Sequence, residues 1–287
     1  MISSFEYRSP RSVEEALELL ARHQEEAKIL AGGHSLIPAM KHGDCAPAVL
    51  IDLRRIEGLS SIEPFAEGGF RVGALVTHRG LERSELVRSR AVILSEAASQ
   101  AGDAQVRNFG TLVGSVCHSD PAADYPAVLL ALDAQVIVAS PRGERSVPID
   151  GFLQGPFQTA LEPDELVVAV DLLRSWASTG AYCKVRRSAI SFALAGVAIQ
   201  VALEEGRIAE ARIGVTGVSD RPFRASSIEA QLRNHALESD GLSNVLRDLA
   251  HDRNVLPDPE AAADYRSHLA DVCARRAMQK ALSRFGE

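Results

Sequence analysis

Two short glycine-bearing turns, some eighty residues apart, constrain this chain more than any other feature: Ala31-Gly32-Gly33-His34-Ser35 and Thr111-Leu112-Val113-Gly114-Ser115. Each follows or continues an apolar run, and each sets small residues and a hydroxyl at the turn. Turns of this kind leave successive backbone N–H groups pointing into one concavity, which suits an anionic ligand such as a pyrophosphate. Two such turns facing each other can hold both phosphates of a dinucleotide.

The bulk numbers narrow the partners. A chain of 287 residues is long enough for two or three subdomains and a sizeable core. A net charge of -7 argues against nucleic acid and anionic membrane surfaces, both of which need a basic face. Aromatic residues at 5% leave little surface for base stacking. The start, Met1-Ile2-Ser3-Ser4-Phe5-Glu6-Tyr7, has no basic segment followed by an apolar run, and no stretch approaches the ~20 apolar residues of a membrane helix. The expectation is a cytoplasmic protein without membrane insertion. Cys45, Cys117, Cys183 and Cys273 lie at least 66 residues apart and form no CxxC pattern, so they read as free thiols. Iron–sulfur chemistry, if involved, sits on another chain.

Along the chain, Ser12-Val13-Glu14-Glu15 reads as a capping box in which Glu15 reaches back to the Ser12 N–H. It opens a helix with Val13, Ala16, Leu17, Leu20 and Ala21 on its apolar face. Lys28 to Ala31 and Val49 to Leu53 read as strands flanking the first turn and a short helix from Leu36 to Lys41, a small β-α-β-like opening. Beyond Arg55, strands are expected at Phe70 to Ala74, Gln135 to Ala139, Arg145 to Pro148 and Leu166 to Leu173. Helices are expected at Leu81 to Val87, Ala91 to Gln100 and Ala122 to Leu132. Val106 to Gly110 reads as a polar loop into the second turn. From Ser175 the pattern changes to three strands, Ala181 to Val185, Phe192 to Leu203 and Arg207 to Val215. Helices then follow at Ser227 to Ala236, at Leu242 to Ala250 and from Asp264, the last with Leu269, Cys273, Ala277, Ala281 and Phe285 at four-residue spacing. The result is an α+β chain whose last part is a separate α+β domain, a three-stranded antiparallel sheet with helices.

The first turn with its continuation, Leu36-Ile37-Pro38-Ala39-Met40-Lys41, and the second segment, Gln105 to Ser115 followed by Pro121-Ala122-Ala123-Asp124-Tyr125-Pro126, together resemble the FAD-binding medium subunit of the molybdenum hydroxylases. The nearer branch is aerobic carbon monoxide dehydrogenase, and the flavin domain of xanthine dehydrogenase is more distant. The resemblance spans essentially the whole chain. It implies a two-subdomain FAD-binding fold of the type shared with vanillyl-alcohol oxidase and p-cresol methylhydroxylase. The implied divisions are FAD-binding subdomains at 1–54 and 55–174 and a C-terminal α+β domain at 175–287.

Carried over by position, Ala31, Gly32, Gly33, His34 and Ser35, with Thr111, Val113, Gly114 and Ser115, are the loops around the FAD pyrophosphate. Asp124 matches an aspartate at the ribityl or ribose region, and Lys184 a lysine near the flavin ring. Leu166 matches a residue packed near the flavin or adenine, and Phe192 a position beside the isoalloxazine. The family's second motif usually reads Thr-Ile-Gly-Gly-Asn or Thr-Ile-Gly-Gly-Asp. Here Val113 replaces the first of these glycines and Ser115 the final residue. Either Val113 crowds the pyrophosphate, or it sits extended with its side chain in the core.

Plainer readings stand beside several of these. The plainer reading of Asp124 is a cap on the Tyr125–Leu132 helix, of Lys184 a side chain facing solvent, and of Phe192 a core residue. Arg107 pairs either a phosphate or a neighbouring carboxylate, and His34 reads as a turn residue rather than an acid or base. Arg186-Arg187 reads as a solvated turn or an interface contact. No G-x-G-x-x-G, Walker loop, H-E-x-x-H or G-x-S-x-G occurs, and no residue is assigned as catalytic. The resemblance implies a heterotrimer, often doubled, with a large molybdopterin-binding subunit and a small subunit holding two [2Fe-2S] clusters. FAD would collect electrons from the clusters and deliver them to a quinone, NAD or oxygen. The competing readings are a scaffold subunit with weakened or lost FAD binding, suggested by Val113, and a self-contained flavin enzyme.

Overall fold

The computed structural model describes residues 2–174, 179–236 and 241–286. The expected boundary between 174 and 175 adjoins residues 175–178, which lie outside the described ones.

The opening unit is a parallel sheet in which Val49–Asp52 lies between Glu6–Arg8 and Ala27–Leu30. Val49, Leu50, Ile51 and Asp52 are all buried, so this strand reads as a continuous apolar run. Glu6–Arg8 was not expected, because three exposed residues carry no alternation. The helix Val13–His23 buries Ala16, Leu17 and Leu20. Ser12 Oγ accepts from Glu15 N at 3.2 Å, as the capping box requires. The Glu15 carboxylate returns one residue earlier than expected, to Arg11 N at 2.7 Å.

The second unit is an antiparallel sheet in the order Ile62–Pro64, Gly68–Gly73, Leu166–Arg174, Gln135–Ser140, Gly143–Pro148. Two helical segments before the second motif differ from expectation. Ser84 divides the helix expected over Leu81 to Val87 into His78–Arg83 and Glu85–Arg90, its Oγ accepting from Val87 N at 3.3 Å. The loop expected over Val106 to Gly110 is mostly the helix Ala104–Phe109, started by Asp103 Oδ1 accepting from Val106 N at 2.8 Å. Helix Asp124–Leu132 is buried on every side, held between helix Val92–Gln100 and the last sheet.

That last sheet has four antiparallel strands rather than three: Gly180–Arg186, Ala193–Glu204, Arg207–Thr216 and Phe223–Arg224. The fourth is two residues long and has no sequence pattern to betray it. Helix Ala263–Ser283 covers one face through Leu269, Cys273, Ala277 and Ala281, while Phe285 lies past its end and is exposed. Helices Ser226–Leu232 and Leu242–Val245 are shorter than expected. On the other face Tyr182 and Ala198 join the core of the first two units. Glu96 fastens the joint: its carboxylate accepts from Tyr182 N at 2.8 Å, and it pairs with Lys280 at 2.6 Å and with Arg284.

Candidate cofactor site

The first turn leaves strand Ala27–Leu30 and enters helix Leu36–His42. Gly33 has φ +73°, a left-handed conformation that glycine adopts without strain. Gly33 O accepts from Ile37 N at 3.0 Å. Among the described residues, the backbone N–H groups of Gly33, His34, Ser35 and Leu36 meet no acceptor, and Ser35 makes no side-chain cap bond. Four successive N–H donors on a partly exposed turn are thus left unpaired, an arrangement that suits an anion.

The second motif is not a glycine loop. Thr111 caps the helix Leu112–His118, its Oγ1 accepting from Gly114 N at 3.0 Å. Val113 therefore has helical backbone without a positive φ, which a β-branched residue adopts at only a small cost in rotamer freedom, and its side chain is buried in the core. It neither crowds the turn nor sits extended. Gly114 and Ser115 remain partly exposed beside it.

The two motifs meet. A β-carbon on Gly32 would overlap the carbonyl of Phe109, and the rings of His34 and Phe109 lie 6.0 Å apart. The second motif is stapled from behind: His78 N donates to Gly110 O at 2.9 Å and Leu112 N to Val76 O at 3.3 Å. His78 is buried, with Nδ1 2.8 Å from the Tyr125 hydroxyl. Burial lowers its pKa to about 4, with the His34 and Arg107 charges adding to the effect. Sequence reading missed His78 and named Tyr125 only as part of the Pro121–Pro126 segment. The only local signal was Thr77, a helix cap immediately before the histidine.

Asp124 is the first residue of its helix and not its cap, which is Ala123. Its carboxylate accepts from Tyr182 Oη at 2.5 Å and from Lys184 Nζ at 2.8 and 2.9 Å. Lys184 Nζ also donates to Gln100 O at 3.0 Å, and its side chain is 1% exposed, so it does not face solvent. Burial pushes the Asp124 carboxyl up against the opposing pull of the Lys184 ammonium, and it pushes the Tyr182 hydroxyl well above its ordinary value. The neighbouring Pro121-Ala122-Ala123 segment is tied to the last sheet by Thr216 Oγ1, 2.9 and 2.8 Å from Pro121 O and Ala123 O, and by Gly217 N donating to Pro121 O.

Leu166 is buried at the start of its strand, opposite Ala139. Phe192 is 57% exposed and so is not core; Ala193 N donates to Ala122 O at 3.4 Å, which sets Phe192 beside the Pro121–Asp124 segment. Arg107 leans on a carboxylate, with Nε 3.5 Å from Glu82 Oε2. Arg186 Nη1 donates to Gln100 O at 3.4 Å across the joint, and Arg187 pairs with Glu260 at 2.6 Å on the surface. The structure thus brings the first turn against Phe109 and Gly110, immediately before Thr111, and ties Asp124 to Lys184.

A turn with unpaired N–H donors, packed against the residues that precede a second helix start, has the chemistry that suits a pyrophosphate. Residues 3–172 match the FAD binding domain in molybdopterin dehydrogenase, and residues 180–281 match the CO dehydrogenase flavoprotein C-terminal domain. The carbon monoxide dehydrogenase medium chain of Hydrogenophaga pseudoflava is 35% identical over 282 residues, 98% of each chain. The 6-hydroxypseudooxynicotine dehydrogenase complex subunit alpha of Paenarthrobacter nicotinovorans is 35% identical over 283 residues, 98% of this chain and 95% of that one. The solved carbon monoxide dehydrogenase from Hydrogenophaga pseudoflava, in a form lacking the Mo-pyranopterin moiety of its molybdenum cofactor, aligns with a TM-score of 0.94 and 35% identity over 99% of each chain. The chain belongs to the FAD-binding medium subunits of the molybdenum hydroxylases, and is an oxidoreductase subunit with FAD as its cofactor. Among the described residues no helix is long and apolar enough to cross a membrane.

Proposed function

We propose that this subunit takes electrons from the [2Fe-2S] clusters of a small partner subunit and passes them to an external acceptor, a quinone, NAD or oxygen. The substrate would be oxidised on the large molybdopterin-binding subunit. Bound FAD supplies redox chemistry that no side chain provides. The chain's residues bind and orient it, and none acts as a general acid or base.

The observation that carries this reading is the convergence of the two motifs at Gly32 and Phe109, beside the row of free N–H groups from Gly33 to Leu36. On it, Ala31 to Ser35 grip one phosphate. Thr111, Val113, Gly114 and Ser115 border the other, with the Ser115 hydroxyl replacing the family's usual amide or carboxylate. Asp124 and Lys184, bonded to each other, form a rigid wall at the ribityl and ring end, with buried Leu166 near the flavin or adenine and exposed Phe192 beside the isoalloxazine.

A division into two FAD-binding subdomains, 1–54 and 55–174, and a C-terminal domain, 175–287, is supported by the separate three-, five- and four-stranded sheets. Four free cysteines suit a reducing cytoplasm. The scaffold reading rested on Val113, whose side chain lies in the core.

The test is the flavin content of the complex purified with its partners. One FAD per copy of this chain, reduced when substrate is added, is the expected result. A complete complex without flavin absorbance near ~450 nm would overturn the proposal in favour of a scaffold.

A further inference from the structure

We propose that His78 is an unassigned cofactor ligand: its Nε2–H donates to an anionic oxygen held between the two turns. On the cofactor reading above, that oxygen belongs to the FAD pyrophosphate.

The ring sits beneath the crossing of the turns. His78 N holds Gly110 O at 2.9 Å, and the imidazole fills the space where a side chain at Gly110 would go: a β-carbon there would lie 2.6 Å from Nε2. The adjoining Phe109 carbonyl is the group against which Gly32 packs. One histidine thus stands directly behind both motifs.

The tautomer follows from its partner. Nδ1 lies 2.8 Å from the hydroxyl of Tyr125, which is fully buried and whose pKa burial raises well above its ordinary value. That hydroxyl has no other partner among the described residues. Were Nδ1 protonated, the Tyr125 O–H would be buried with no acceptor, a loss that folded proteins avoid. Tyr125 therefore donates to Nδ1, and the proton on the ring is on Nε2.

Nε2 meets no partner among the described residues and yet is not sealed from solvent, whereas the ring as a whole is 6% exposed. A fixed donor on a buried ring, beside Gly110 and within reach of the His34 charge on the first turn, is complementary to a phosphate oxygen. The charges that act on the ring are His34 on the first turn and Arg107 on helix Ala104–Phe109, while Glu82 on the histidine's own helix and Asp124 act on the Tyr125 hydroxyl bonded to it. With its pKa near 4, the ring is a neutral donor at neutral pH.

The experiment strips the purified complex of flavin and titrates it with FAD, alongside apo-protein melting. His78→Phe keeps a ring and removes both nitrogens; it is expected to weaken FAD binding roughly 10- to 100-fold, the range for losing a hydrogen bond to a charged group. His78→Gln places an amide near the ε position and should stay close to wild type. The shorter His78→Asn should not rescue, and Tyr125→Phe, which frees the tautomer, should fall between. If His78→Phe does not assemble, the Gln and Asn variants decide. Equal affinities across the variants that fold, with changes confined to melting temperature, would overturn the role of His78 and leave the cofactor reading intact. A wild-type complex that takes no FAD would overturn that reading itself.

Discussion

Gly32 and Phe109 touch backbone to backbone: the Gly32 α-carbon lies where any β-carbon would overlap the Phe109 carbonyl. The glycine joins the turn after strand Ala27–Leu30 to the end of helix Ala104–Phe109. Gly32→Ala forces the two segments apart, because neither side of the contact is a flexible side-chain end. We expect a loss of about 1–3 kcal/mol in stability together with weaker FAD binding. Gly33→Ala is a different case. It strains a φ of +73° but meets the movable Ile37 Cδ1, 2.7 Å away. There the strain alone is worth about 1–2 kcal/mol. Melting temperature and flavin dissociation on both variants check this, and a Gly32→Ala complex unchanged in both would show that the seam does not matter.

Asp124 and Lys184 share a buried ion pair closed by Tyr182 and Gln100 O, so their first effect is on stability. Lys184→Met leaves the Asp124 carboxylate without its countercharge and is expected to destabilise the protein by about 3–5 kcal/mol. Replacing both, Lys184→Met with Asp124→Leu, should recover much of that loss. Chemical denaturation with and without FAD is the measurement. A Lys184→Met penalty present only when FAD is bound would instead make the cofactor the pair's main partner.

What could be read from the sequence follows the length of each signal. The long apolar strands and helix Ala263–Ser283 announce themselves by periodicity. Glu6–Arg8 and Phe223–Arg224 are too short to show any. Ala104–Phe109 looked like a loop because half of its six residues are polar, all are at least partly exposed, and its start depends on one Asp103 bond. Thr111 to Ser115 was legible as a cofactor motif but not as a helix start, since a family pattern with paired glycines suggests a turn. The partners in the site join residues far apart in sequence: Asp124 with Lys184 across 60 positions and His78 with Tyr125 across 47. Such pairs follow from tertiary packing, which local pattern does not encode.

His78 makes stability depend on pH above the range of the carboxylates. Its folded pKa of about 4 lies below the ordinary 6.5, so between these values the unfolded chain binds the extra proton. Stability is therefore full above about pH 6.5 and falls as pH drops toward about 4, by about 3 kcal/mol at most. Glu165, held low by Arg145 at 2.6 Å, acts in the same direction but only at lower pH, below its ordinary range. Denaturation of wild type and His78→Gln between pH 5 and 7.5 isolates the histidine, and identical slopes would contradict its depressed pKa.

Val113 is where this chain departs from its family's usual glycine, and the structure fixes what restoring glycine would do. The residue lies in the first turn of helix Leu112–His118, with 4% exposure, packed into the main core with Leu112 and Val116. Val113→Gly removes buried methyl groups and leaves a cavity, roughly 1–3 kcal/mol, and glycine in a helix adds roughly 0.5–1 kcal/mol through the freer unfolded chain. It opens no space toward the cleft, because the valine side chain points into the core rather than at Gly114 or Ser115. Lower melting temperature with unchanged FAD dissociation is the expected pair of results. Tighter FAD binding in Val113→Gly would mean that the helix start rearranges around the cofactor, and that the valine restrains it.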